Sequence, residues 1–245
     1  MENDKKIEAI RAFHSKNYEK TIIICKDIIK SNKQTSEIYN IYGLALQEKR
    51  LVDESKEQFK IAIKLNPNNF EALNNYAISL SNTSELDLAE EVYLKALKIK
   101  PNYINAIFNL GKLNFKKKKY NEAIKLYLKA LEIPTITFTE KIFIQQNLSI
   151  TYSTLGKFIE AKLYSKKTLE IDKNNLQAIK VLSELTDHKK DKSILKKMED
   201  ILRDPNLTIS GKVLLFFELG RVYDELKNYK YAYNYFDKAN KIKKN

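Results

Sequence analysis

Residues 62–69 read AIKLNPNN and residues 96–103 read ALKIKPNY. Each is an apolar run closed by a short polar stretch, and Pro67 and Pro101 stand 34 residues apart. A third copy, ALEIPTI at 130–136, places Pro134 one residue short of the same period. Proline fits only the ends of helices, where its missing N–H costs little. A fixed period of this length marks an array of small supersecondary units stacked on one another. Laid on that register, the chain divides into repeats at 2–35, 36–69, 70–103 and 104–137. A four-residue slip leads to 142–175, then come a shorter irregular repeat near 176–207 and a last one at 213–245. The expected organisation is five repeats in residues 1–175, then a divergent and a final repeat in 176–245, in one continuous array.

The register also sorts residue types. Its eighth position holds Ala9, Gly43, Ala77, Gly111, Ser149 and Gly220, and its twentieth holds Ser55, Ala89, Ala123, Ala161 and Ala232. The twenty-seventh holds Ala62, Ala96, Ala130 and Ala239, while Phe59, Tyr93, Tyr127 and Phe236 fill the twenty-fourth. Small residues let helix backbones approach closely, and one bulky ring fills the hole left between neighbouring pairs. Gly156 falls in a turn between helices, where a positive φ is cheap for glycine. Helices of about a dozen residues are marginal alone in water, so stability must come from stacking. No alternation of apolar and polar residues marks a strand.

Position by position, this pattern resembles the tetratricopeptide repeat family. The resemblance implies an all-α solenoid of about seven antiparallel helix pairs in a right-handed superhelix, with a concave groove that holds proteins or extended peptides. In that family the first helix of each repeat lines the groove with its second, fifth, sixth, ninth, twelfth and thirteenth residues. Here the sixth position holds Asn75, Asn109 and Asn147, with Asn40 and Asn74 at the fifth. A carboxamide carries one acceptor and two donors, which suits the N–H and C=O of a peptide backbone. Asn40, Asn74, Asn75, Asn109, Lys112 and Asn147 are therefore the candidate binding residues. Asn75, Asn109 and Asn147 are expected to be exposed on the concave face, so that replacing all three leaves thermal stability little changed. A clamp of Lys and Arg for a peptide's C-terminal carboxylate is disfavoured, since Glu71 and Asn105 stand where it needs neutral or basic groups.

Composition narrows the alternatives. Hydrophobic residues make up 43% of the 245, charged residues 31%, and there are only 5 Gly and 4 Pro. That supports a helical core and excludes both a turn-rich β fold and a disordered tail. The start, MENDKKIEAIRAFHSK, has no apolar segment of a secretory signal, and no stretch approaches the ~20 apolar residues of a membrane span. With Cys25 the single cysteine, a cytoplasmic protein without membrane contact is expected. The formal charge of +13 raises nucleic acid as a partner. Residues 36–103 carry no basic surplus, however, and a solvated Lys-rich surface is the preferred reading. The Lys116–Lys119 run is read in the same way, as a solvated loop beside Tyr120.

Chemistry is sparse. His14 and His188 have no Cys or carboxylate cluster at ligand spacing, so no metal is expected. The glycines form no phosphate-cradling loop and no nucleophile stands in a recognisable motif, so neither cofactor nor catalysis is expected. The divergent repeat carries the charged loop Asp187–Lys192, and its second helix is expected over 193–203 with Ser193 as N-cap. The run from His188 through Ile194, Met198 and Leu202 to FELGRVYDELKNYKYAYNYFDKANK (217–241) resembles the segment before the catalytic domain of bacterial repeat-containing sulfotransferases. That resemblance implies a substrate-recruiting role for these repeats, with catalysis outside this chain. Tyr231, Tyr233, Tyr235 and Phe236 crowd a last helix with no polar cap after it. Tyr231, Tyr235 and Phe236 are thus candidate contacts for a partner.

Overall fold

The computed structural model describes residues 2–31 and 34–244; Met1, Asn32, Lys33 and Asn245 lie outside it. Among the described residues every regular element is a helix, and the fourteen helices form seven pairs. The first four pairs are α1 (Glu2–His14) with α2 (Tyr18–Lys30), α3 (Ser36–Glu48) with α4 (Val52–Leu65), α5 (Phe70–Asn82) with α6 (Leu86–Ile99), and α7 (Ile104–Lys116) with α8 (Tyr120–Leu131). The remaining three are α9 (Phe138–Thr154) with α10 (Phe158–Ile171), α11 (Leu176–Glu184) with α12 (Ser193–Leu202), and α13 (Ile209–Glu225) with α14 (Tyr229–Lys244). Fold class and pair number are those read from the 34-residue register.

Local chemistry sets the helix boundaries. Asn17, Thr35, Asn69, Asn175 and Thr208 each cap a helix by accepting a backbone N–H from the first turn. Thr137 and Glu140 form a reciprocal capping box at the start of α9. This box lengthens α9 backward by four residues from the register start at 142. The residues of the slip are therefore helix, not linker. Ser193, expected as an N-cap, is instead the first helical residue of α12; its N–H donates to Asp191 Oδ1 at 2.8 Å. The carboxylate two residues upstream thus satisfies the first free N–H of α12.

The turn inside most pairs is built alike. Lys16, Arg50, Ser84, Lys118, Gly156 and Lys227 all occupy the fifteenth register position, and all have φ between 59° and 72°. Only one is glycine. The packing of the pair therefore holds five ordinary side chains in the left-handed region, each at a backbone cost.

The chain forms two compact blocks, Met1–Ile133 and Pro134–Asn245. In the first, Phe59, Tyr93 and Tyr127 are fully buried beside Ala62, Ala96 and Ala130. The close approach is literal: a Cβ on Gly43 would stand 2.6 Å from Phe59 Cε1, and one on Gly111 2.5 Å from Tyr127 Cε1. In the first pair, Cys25 and Ile28 take the places of ring and alanine, and both are buried. Burial pushes the Cys25 thiol up to about 12. The core of the second block gathers Ile179, Leu195, Met198, Ile201, Leu215, Leu219 and Val222. Its last pair repeats the small-to-ring match, with Gly220 against Phe236.

Candidate functional site

In the first block α1, α3, α5 and α7 touch one another in sequence, whereas α2, α4, α6 and α8 each meet only first helices. The first helices thus form a continuous layer, and the candidate asparagines sit on it. They do not stand as independent groups. Asn109 Nδ2 donates to Asn74 Oδ1 at 3.1 Å, Asn74 Nδ2 to Asn75 Oδ1 at 3.2 Å, and Asn75 Nδ2 to Asn40 Oδ1 at 2.9 Å. The result is a four-amide ladder across α7, α5 and α3. Asn40 and Asn74 are 7% and 3% exposed, and Asn75 and Asn109 are half-buried. The row expected to be exposed is half-buried at Asn75, Asn109 and Asn147, and Asn40 and Asn74 are interior supports of the ladder. Each interior link uses one N–H and accepts one hydrogen bond, so every amide keeps capacity for another.

Neighbouring contacts frame the ladder. Ser79 Oγ donates to Gln47 Oε1 at 3.1 Å between α5 and α3. Lys116 Nζ donates to Ser81 O at 2.7 Å, satisfying a carbonyl in the last turn of α5. Lys112 is exposed, its Nζ 5.7 Å from the Phe108 ring centroid, and Glu71 and Asn105 are exposed as well. Asn147 belongs to the second block and is not part of the ladder. Its Nδ2 donates to Phe143 O, one turn back on α9, at 2.8 Å.

The lysine run after α7 is structural rather than merely solvated. Lys117 Nζ lies 2.5 Å from both Asp87 Oδ1 and Glu90 Oε2, and Lys119 reaches Glu90 at 3.4 Å. Hydrogen bonding to Lys117 holds the Glu90 and Asp87 carboxyls below their usual range, and the same contacts raise Lys117. Equivalent staples join earlier pairs: Lys49 to Glu19 at 2.5 Å, and Lys56 to Glu85 at 2.9 Å.

In the second block His188 is fully buried, with Nε2 2.9 Å from Ser183 O and Nδ1 without a partner. Arg221 Nη2 donates to Ser183 Oγ at 2.9 Å while its Nε pairs with the buried Glu218 at 3.2 Å. This network ties the irregular loop after α11 to α13. Nothing in the sequence flagged it, because one His and one Arg 33 positions apart form no motif. Among the candidate contacts on α14, Tyr231 is 51% exposed, whereas Tyr235 and Phe236 are half-buried against α13. Among the described residues no group of three or more His, Cys, Asp or Glu could hold a metal ion, and no helix is long and apolar enough to cross a membrane.

Models of the tetratricopeptide repeat match residues 36–69, 59–91, 103–174 and 214–245, together well over half of the chain. The chain belongs to the tetratricopeptide repeat family. No curated protein sequence matches it. Among solved structures, a tetratricopeptide repeat protein from Parabacteroides merdae aligns at 13% identity with a TM-score of 0.72, over 98% of this chain and 93% of that one. PilW, a type IV pilus biogenesis factor, aligns at 22% identity and 0.69, over 82% and 90% of the two chains. YrrB, described as having an unusual peptide-binding site, aligns at 22% identity and 0.54, over 75% and 91%. These likenesses establish the repeat fold. The match at 214–245 identifies the last pair as a repeat in its own right.

Proposed function

We propose that this tetratricopeptide repeat protein is a non-catalytic, cytoplasmic scaffold that holds an extended peptide along the first-helix layer of its first block. The observation that carries this reading is the ladder of Asn40, Asn75, Asn74 and Asn109. Amides locked to one another are pre-oriented, so a peptide N–H or C=O meets donors and acceptors whose rotamer freedom is already spent. Recognition through main-chain groups is indifferent to the ligand's side chains. Ile41 and Ile78, half-buried on α3 and α5, add an apolar component. Lys112 supplies the positive charge nearest Asn109 on α7. Asn147 would serve any equivalent site in the second block. Peptide binding by the structurally similar YrrB is consistent with this use of the fold.

The test uses the tightest binder from a displayed library of random nonapeptides. Asn109 ends the ladder, with Oδ1 free of any protein partner. Asn109→Ala removes one or two contacts to the ligand at roughly 0.5–1.5 kcal/mol each, so affinity should fall about 2- to 150-fold. A melting curve of the same variant should shift by only a few degrees. Unchanged affinity in a folded variant, or a library that yields no binder, would overturn the proposal.

A further inference from the structure

A different surface, in the second block, has its own chemistry. Helices α12 and α14 both pack on α13 and their backbones do not approach each other closely, so a trough runs between them with α13 as its floor. Two depressions, about 650 Å³ and about 490 Å³, lie along it and share Glu199 and Arg203. In the first block the depression of about 330 Å³ between α4 and α6 is bridged by an ion pair, Lys56 with Glu85 at 2.9 Å. Among the described residues no ion pair crosses the trough between α12 and α14. Its cations are instead left over. Lys192, Lys196, Lys212 and Lys238 line it and, among the described residues, none of the four forms an ion pair. Its two acids are already engaged, Asp200 with Arg203 at 3.2 Å and Glu199 with the Tyr223 hydroxyl at 2.5 Å.

We propose that this trough docks an acidic segment of a protein partner, with its carboxylates on the four lysines and an apolar side chain seated between Leu202 and Phe216. The charge is complementary to an anion, and the floor offers apolar area that a small ion would not use. A single-stranded nucleic acid is the other anionic polymer, but it needs open ring faces for its bases. Here Tyr223 is already stacked with Tyr231 at 5.2 Å and Tyr235 at 5.6 Å, while Lys238 lies over Tyr235 at 5.5 Å. The rings that line the trough are thus engaged with one another, which favours the protein segment.

The experiment is a fluorescence-anisotropy titration of the full chain at low salt with a labelled peptide alternating Glu and Asp with Leu and Phe. Parallel probes are the same peptide with Gln for every acid, and a single-stranded RNA of equal charge. The acidic peptide should bind, the Gln peptide should not, and Lys196→Glu with Lys212→Glu should weaken binding on the order of tenfold or more. The control reverses two exposed lysines of the first block, Lys64→Glu with Lys129→Glu, and should leave binding within about twofold. Lys196, Lys64 and Lys129 are exposed and Lys212 is half-buried, and superimposable melting curves establish that both variants fold. Equal weakening by the control would mean diffuse charge attraction and overturn the proposal. So would RNA binding tighter than the acidic peptide, or an unaffected Lys196→Glu/Lys212→Glu variant.

Discussion

Replacing Asn74 by alanine removes the central link of the amide ladder. Asn74 is 3% exposed, donates to Asn75 at 3.2 Å and accepts from Asn109 at 3.1 Å. Two hydrogen bonds are lost, each contributing roughly 0.5–1.5 kcal/mol net, and alanine's better helix propensity returns about 0.5 kcal/mol. The expected destabilisation is about 0.5–2.5 kcal/mol. For a chain of this size that lowers the melting temperature by roughly 1–10 °C. The assay is thermal unfolding followed by circular dichroism, with Asn121→Ala as the reference. Asn121 is exposed in the first turn of α8, so its loss should shift stability by no more than about 0.5 kcal/mol. If Asn74→Ala melts within a degree of the Asn121 variant, the ladder contributes nothing to the fold. The amides could then not be pre-oriented as argued.

Three further outcomes follow from the structure. Lys118, held at φ 60°, should be improved by Lys118→Gly by about 0.5–1 kcal/mol, and Gly156→Ala should cost about as much, although nothing lies within 4 Å of the added carbon; urea unfolding of both variants reads this. Cys25 is fully buried with its thiol pushed up to about 12, so a thiol reagent at pH 8 should label it only in denaturant; fast labelling of the native chain would contradict the packing of the first pair. Glu90 and Asp87 have carboxyls lowered by Lys117. Their stabilisation is therefore present above the unfolded carboxylate range and is lost as pH falls below that range, through the lowered folded values. The melting temperatures of the native chain and of Lys117→Ala should differ near pH 7 and draw together as acid protonates both carboxyls; a gap independent of pH would show that the staple acts through packing alone.

Much of this architecture is legible in the residues themselves. Small residues at the eighth position and rings at the twenty-fourth meet because the two helices of a pair cross there, and Gly111 against Tyr127 shows how little room remains. The start of α9 was also written in the chain, as Thr137 and Glu140 at capping-box spacing. The strict 34-residue register obscured it, because a period fixes the repeat but not where each helix begins. Pairing between asparagines is less legible. Asn75 bonds Asn40, 35 positions away, and Asn109 bonds Asn74, also 35 away. A fifth-position amide thus meets a sixth-position amide of the next repeat, a diagonal set by the helix stagger that a column-by-column reading misses. Asn147 sits in the right column, yet its partner is its own helix. The unpaired lysines beside α12 escaped notice because a charge run looks the same whether or not acids face it. Only the fold shows which lysines found carboxylates.

The claim that the first-helix layer reads a peptide's main chain is tested most directly on the ligand. Each residue of the library-selected nonapeptide would be N-methylated in turn, which removes one N–H and leaves the side chain in place. In a second series each side chain would be cut back to alanine. Titration of the native chain should show losses of about 2- to 12-fold at the N-methylated positions that face Asn75 and Asn109. The alanine series should change affinity little there. Retained affinity across the whole N-methyl series, with losses concentrated in the alanine series, would contradict the account.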